Sequence, residues 1–197
     1  HEQTKPQFPA LFANKYCTRY IDKRTNYVFE NIDKVVYLSQ RAVDSSPVHE
    51  SKKTYIFNGE EDLKTHTYEA VHSPMNFVSV GSMAWRKGQN YVLEAMAKLP
   101  KSMLDRMKYH LIGSGPQMSE LRSIVAKYNL SDNVVFYGAR NDVSELLKSM
   151  DVFILPSKSE GLPMSIIEAL RQGLYLLATD TGAIPEMMAQ GCGELIE

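Results

Sequence analysis

A parallel β-sheet with helices on both faces is the α/β fold this chain predicts, and three observations predict it. From Asn76 onward, short apolar runs alternate with helical segments. The runs are continuously apolar, as in Val152-Phe153-Ile154-Leu155, where a half-exposed strand would alternate. Strands buried on both faces have that pattern. Most of the runs also stop at a glycine or proline, at Gly81, Gly113, Gly138 and Pro156. Such sheets bind ligands outside the carboxyl ends of their strands. The glycines at 81, 113, 115, 138 and 161 therefore mark the edge where a site belongs.

The elements follow in order. Tyr16, Tyr20, Ile21, Tyr27, Val28 and Ile32 are spaced along one helix face over about residues 13–31. Residues 34–38 read as a short strand, and Ser39 as the cap of a short helix that Pro47 ends. Residues 53–57 are a second strand, closed by Asn58-Gly59, and the polar stretch 59–75 reads as a hinge. A strand at 77–80 leads to a helix with Tyr91, Val92, Ala95, Met96 and Leu99 on one face. The strand 109–112 ends in G-S-G-P, where Pro116 suits the first position of a helix striped by Met118, Leu121, Ile124, Val125 and Tyr128. After the strand 134–137, Asp142 and Glu145 match a capping box for a short helix with Leu146 and Leu147 inward. The strand 152–155, a helix from about Pro163, a strand at 174–178, a short helix near Ile184 and a strand at 194–196 complete the pattern.

Bulk properties narrow the function. The 197 residues suffice for one domain and part of another. Hydrophobic residues at 44% and charged residues at 23% are ordinary globular values. A net charge of -1 opposes the basic footprint that nucleic-acid binding needs, so no nucleic-acid partner is expected. Cys17 and Cys192 form neither a metal spacing nor a disulfide framework and fit a reducing compartment. His66, His72 and His110 lack ligand spacing and read as surface or packing residues. No apolar stretch is long enough to span a bilayer. The segment H-E-Q-T-K-P is no signal peptide, and it lacks a starting Met.

The chemistry gathers at the strand ends. In D-V-F-I-L-P-S-K-S-E-G-L-P-M-S-I-I-E-A-L, residues 151–170, a strand, a tight loop and a helix start carry two carboxylates, Glu160 and Glu168. Amides at a helix N-terminus favour a phosphate beside 161–164. A diol could then reach Glu168 along the helix while Glu160 faces the other end of the ligand. Leu162, Ile166, Ile167 and Leu170 supply the core face. Ser165 with Glu168 also fits a plain capping box, or Glu168 a surface pair with Arg171. In V-G-S-M-A-W-R-K-G, residues 80–88, Arg86 and Lys87 could meet a diphosphate, or could form a solvated basic pair on a turn. Trp85 fits a pocket cap or a packing role. The loop 113–116 could approach a ligand closely, and G-A-R-N-D at 138–142 could line a base pocket.

Taken in order, K-G at 87–88, L-I-G-S-G-P at 111–116, V-V-F-Y-G at 134–138, the 151–163 segment, I-E-A-L at 167–170 and A-T-D-T-G-A-I-P-E at 178–186 resemble the C-terminal, donor-binding half of the GT-B glycosyltransferases, specifically the retaining family four. The resemblance covers about residues 33–197. It implies a Rossmann-like sheet at 76–197 preceded by the end of an N-terminal acceptor domain and a crossing segment at 1–58, with the hinge at 59–75. It implies transfer of a hexose from a UDP- or GDP-sugar to a glycan or lipid-linked acceptor. Glu160 matches the acid at the donor sugar, Glu168 the acid at the ribose hydroxyls, and Lys87 the diphosphate lysine. The backbone of Gly161, Leu162, Pro163 and Met164 matches the cradle, and Gly81, Ser82, Arg86 and Gly138 complete the donor-binding set. No D-x-D motif is present, and neither a metal nor a cofactor is expected.

Three departures stand out. The family's arginine after the first loop glycine is Ser82 here, and Arg86 is the expected substitute. Its paired glycines before P-E are Gly182 and Ala183, which puts close backbone approach there in question. Most of the N-terminal domain is absent, and the chain stops at Glu197, before the family's usual final helices, so a part that binds donor without turning over alone is expected. The expected location is the cytoplasm, with peripheral contact of the full-length protein at the inner membrane face. The alternatives are a nucleotide-sugar-binding regulatory module and an epimerase-like domain.

Overall fold

The computed structural model describes residues 15–59, 71–188 and 191–196. Helix α1 (Lys15–Asn31) leads into β1 (Val35–Tyr37). Ser39 caps α2 (Gln40–Ser45) as its side chain implies, its Oγ accepting from the Ala42 amide at 3.2 Å. Ser46 is extended, the conformation Pro47 imposes on the residue before it. β2 (Lys53–Tyr55) pairs parallel with β1, Val35 opposite Lys53. This small unit is thinly covered, and Val36, Tyr55, Ile56 and Phe57 are exposed. The stripe predicted through Tyr27 and Val28 is not buried, both side chains being more than half exposed. Phe29 faces Pro47 and Val48 instead. Spacing fixes where an apolar stripe runs, but the neighbour decides which side of the helix is covered.

Residues 60–70, including His66, lie outside the described residues. Beyond them the chain is clasped by one buried carboxylate. Asp151 accepts from the backbone N–H of His72 at 3.0 Å and of Asn76 at 2.7 Å, and lies 2.9 Å from His72 Nδ1. The strand therefore begins at Met75, the last residue of the predicted hinge.

β3 (Met75–Val80), β4 (Met107–Ile112), β5 (Val134–Gly138), β6 (Val152–Leu155), β7 (Tyr175–Thr179) and β8 (Gly193–Ile196) form one parallel sheet in the order β5-β4-β3-β6-β7-β8. The strands are joined through α3 (Gln89–Met96), α4 (Lys101–Leu104), α5 (Met118–Lys127), α6 (Val143–Leu147), α7 (Met164–Arg171) and α8 (Ile184–Met187). Side chains alternate across the sheet. Tyr109 and Leu111 of β4 pack with Leu93, Met96 and Leu121, while Ile112 packs with Phe153, Leu155, Ile166 and Ala169 on the other face. Each such fully buried Leu, Ile, Met or Phe side chain contributes roughly 1.5–3 kcal/mol. The strands were legible because both faces are covered.

Three local expectations are corrected. α4 fills the gap before β4, where no helix was predicted. Pro116 precedes α5 by two residues, because the G-S-G-P loop is pinned first: Met83 N–H donates to Ser114 O and Gln117 N–H to Met83 O, both at 2.9 Å. Asp142 precedes α6 but its side chain makes no cap, because both its oxygens accept from Arg140, Nε at 2.8 Å and Nη2 at 2.5 Å.

His110 is buried between Tyr137 Oη at 3.1 Å and Asn76 Oδ1 at 3.2 Å. Burial, then the nearby Lys108 charge, lower its pKa below the ordinary 6.5. The unfolded chain therefore binds this proton more readily than the folded one. Stability is full above about pH 6.5 and falls as the pH drops through the lower folded value. Urea unfolding of the wild type should show this loss between pH 7 and 5, and His110→Gln should flatten it. An identical slope in both would remove the assignment.

Candidate functional site

The strand order reverses between β3 and β6, which run outward to β4-β5 and to β7-β8. At such a switch point the loops leaving two adjacent strands part and open a crevice at their carboxyl ends. The loop after β3 carries Arg86 and Lys87, and the loop after β6 carries Glu160. They meet there. Lys87 Nζ lies 2.7 Å from Glu160 Oε1, and the two side chains are 9% and 6% exposed. Arg86 Nη1 reaches Glu160 Oε2 at 3.4 Å and Ser159 O at 3.0 Å from a half-exposed position. Desolvating an ion pair costs several kcal/mol per ion, so a buried one at this edge calls for a use beyond stability.

Backbone contact sets the spacing. Gly88, at φ 72°, lies so close to Pro156 that a Cβ there would stand 2.1 Å from its carbonyl oxygen. Lys158 N–H donates to Arg86 O at 2.7 Å. The Lys87 stem runs over Gly81, where an added Cβ would be 3.8 Å from Cε. The exposed Ser82 is tied through its carbonyl, which accepts from Gln89 Nε2 at 3.1 Å. Gly138 and Gly113 join the neighbouring strand ends through a 2.8 Å bond from Gly113 N–H to Gly138 O.

On the far side, residues 180–186 brace the Glu160 loop. Gly182, at φ 57°, faces that loop, and a Cβ there would sit 2.2 Å from Glu160 O. Ala183 is fully buried and donates its N–H to Gly161 O at 2.8 Å. The close approach put in question by Ala183 is thus made by Gly182 and by the Ala183 N–H together. The segment also holds α2. Glu186 accepts from the backbone N–H of Gln40 at 2.9 Å and of Arg41 at 2.8 Å, and Asp180 pairs with the Arg41 guanidinium. A cavity of about 220 Å³ lies between α2 and Glu160, Gly161 and Gly182.

α7 begins at Met164 after Pro163, which offers no side-chain cap. The first amides of a helix have no intrahelical acceptor and carry partial positive charge. Ser165 lies inside the first turn, so the capping-box alternative for Ser165 and Glu168 does not hold. Leu162 and Ile166 are buried and seat the helix, with Ala169 in place of the predicted Ile167. Ile167 and Leu170 line a groove with Phe57 and Met187. Glu168 is half-buried four residues after the helix start, about 6 Å along its axis. Trp85 stands more than half exposed on the rim, with the Lys158 ammonium over its ring at 3.1 Å.

The arrangement is a cationic, amide-rich edge with one carboxylate neutralised inside it and a second on the following helix. Among the described residues no three His, Cys, Asp or Glu side chains gather as a metal site. None of the described helices is long and apolar enough to cross a membrane. Sequence reasoning reached Glu160, Lys87 and Arg86. It gave no role to Lys158, Asp180 or Arg41, whose partners lie 67 to 139 positions away.

Comparison with known proteins gives the family and the fold. The family model for glycosyl transferases group 1 matches residues 67–197. The chain belongs to that family. Among relatives of this group 1 chain, the galactosyltransferase of Escherichia coli named as using UDP-Gal and alpha-D-GlcNAc-diphosphoundecaprenol is 28% identical over 183 residues, 86% of this chain and 44% of the relative. The lipopolysaccharide glucosyltransferase WaaG of Escherichia coli K12 is 31% identical over 120 residues, 60% of this chain and 32% of the relative. The crystal structure of Anabaena Alr3699/HepE with UDP-glucose superposes with a TM-score of 0.70 at 20% identity, over 90% of this chain and 54% of that one. The chain thus spans about a third to under half of the length of these two curated relatives. The fold is the Rossmann-like α/β architecture of GT-B glycosyltransferases.

Proposed function

We propose that this chain is the donor-binding half of a retaining glycosyltransferase that moves a hexose from a nucleoside-diphosphate sugar to a glycan or lipid-linked acceptor. The buried Lys87–Glu160 pair at the β3/β6 switch point carries the reading. Cleaving a sugar–phosphate bond loads negative charge on the departing diphosphate, and Lys87 with the Gly161, Leu162 and Met164 amides is preorganised to receive it. Arg86 is the substitute for the arginine absent at Ser82, reaching over the same carboxylate. Glu160 orients the sugar beside its anomeric carbon, and Glu168 takes the ribose hydroxyls. In this scheme Lys87 and the backbone supply the charge a metal ion would otherwise supply. The relatives named above support a donor of the UDP type, and the acceptor site belongs to the remainder of the protein.

Calorimetric titration of UDP, GDP and their glucose conjugates tests the division of labour. Glu168→Ala should weaken free UDP and UDP-glucose alike. Glu160→Ala should leave UDP binding intact or tighter, because Lys87 is released from its partner, while UDP-glucose weakens. Arg86→Ala should weaken both ligands by a few-fold, about one exposed charge contact. Equal losses for both ligands in Glu160→Ala and Glu168→Ala would refute the assignment.

A further inference from the structure

The loops after β3 and β6 must keep one spacing even when a ligand competes for Lys87, because a diphosphate draws that ammonium away from Glu160. The tie that remains lies one step outside the pair. Lys158 Nζ sits 3.1 Å from the centre of the Trp85 ring and 5.1 Å from that of Tyr91. Trp85 immediately precedes Arg86 and Lys87, and Lys158 stands two residues before Glu160. The attraction of a cation for an aromatic face thus joins the two segments that carry the charged groups. Backbone contacts continue it, from Lys158 N–H to Arg86 O at 2.7 Å and from Arg86 Nη1 to Ser159 O at 3.0 Å. Among the described residues Lys158 pairs with no carboxylate, and Trp85 is 55% exposed and belongs to neither core cluster. Packing alone gives no reason for that tryptophan.

We infer that Lys158 is a positioning residue. Stacked on Trp85, it clamps the β3 and β6 loops so that the two segments keep their spacing when a nucleoside diphosphate draws Lys87 away from Glu160. The inference rests on the donor-site reading above and adds two residues to it. It acts on affinity for the donor and, through the placement of Lys87, on the chemical step.

Calorimetry with UDP and UDP-glucose on this chain, and steady-state kinetics of the full-length protein, test it. Lys158→Met and Trp85→Leu should each weaken both ligands by about two- to fivefold, the range of an exposed cation–aromatic contact. The full-length variants should show a loss in kcat/KM for the donor that Lys158→Arg restores. Lys158→Arg should restore wild-type affinity, because guanidinium also stacks on aromatic faces. The double variant should be no weaker than either single, since both remove one contact. A loss in Lys158→Met but not in Trp85→Leu would mean that the ammonium touches the ligand directly, and would overturn the clamp. So would wild-type affinity in Lys158→Met, or no rescue by arginine. Failure of the wild type to bind either ligand would overturn the donor-site reading and the clamp with it.

Discussion

With Lys87 as the proposed diphosphate donor, Lys87→Met is expected to lower sugar transfer by the full-length protein by about 10²–10³-fold, the usual cost of removing one preorganised donor to a developing negative charge. It should also destabilise this domain by about 3 kcal/mol, because it strands the Glu160 carboxylate at 6% exposure. The lower end of the range for a broken buried pair applies, since Arg86 Nη1 remains 3.4 Å from the other oxygen. The two effects separate in the double variant Lys87→Met/Glu160→Gln. Removing both charges takes away the stranded carboxylate, so stability should return to near the wild type. Turnover should stay low. Urea unfolding of the chain and kinetics of the full-length protein read the two quantities. A double variant as unstable as Lys87→Met would show that the buried pair is not the origin of the destabilisation.

Gly182→Ala should be about as damaging to the fold, at about 2–4 kcal/mol, without touching a charged group. The position has φ 57°, where an L side chain is strained by about 1 kcal/mol or more. The new Cβ would lie 2.2 Å from Glu160 O and 2.6 Å from Gly161 O, so backbone must move, at the 1–3 kcal/mol typical of overpacking. The segment that moves holds Glu160, and UDP-glucose binding should be lost with it. Gly191→Ala is the control. It shares a positive φ of 82° but meets nothing within 4 Å. Thermal unfolding should show only the conformational cost there, with binding unchanged. Equal losses at the two positions would mean that close approach to the Glu160 loop is not what Gly182 provides.

What could be read from the chain follows from where burial is complete. Strand β6, Val152–Leu155, is buried throughout, so its composition alone announced it. Glu160 and Lys87 were singled out because the loops that carry them resemble the family's donor-binding motifs. Their meeting was not legible. It depends on β3 and β6 being neighbours, with Phe77 opposite Val152, and strand order is a property of the whole sheet. The same limit hid Lys158 on Trp85 and Asp180 on Arg41. Local rules failed where a competing partner was available: Asp142 had the sequence of a cap, but Arg140 two residues away took both its oxygens. At α1 the spacing was helical, but Tyr27 and Val28 found no cover among the described residues.

The proposed function requires that a diphosphate be held where the β3 and β6 loops part. A crystal structure of this chain with UDP-glucose measures it directly. Both phosphates should lie within hydrogen-bonding distance of Lys87 Nζ and the Gly161, Leu162 and Met164 amides, with the ribose at Glu168 and the glucose at Glu160. Ligand bound elsewhere, with the Lys87–Glu160 contact unchanged at 2.7 Å, would contradict it.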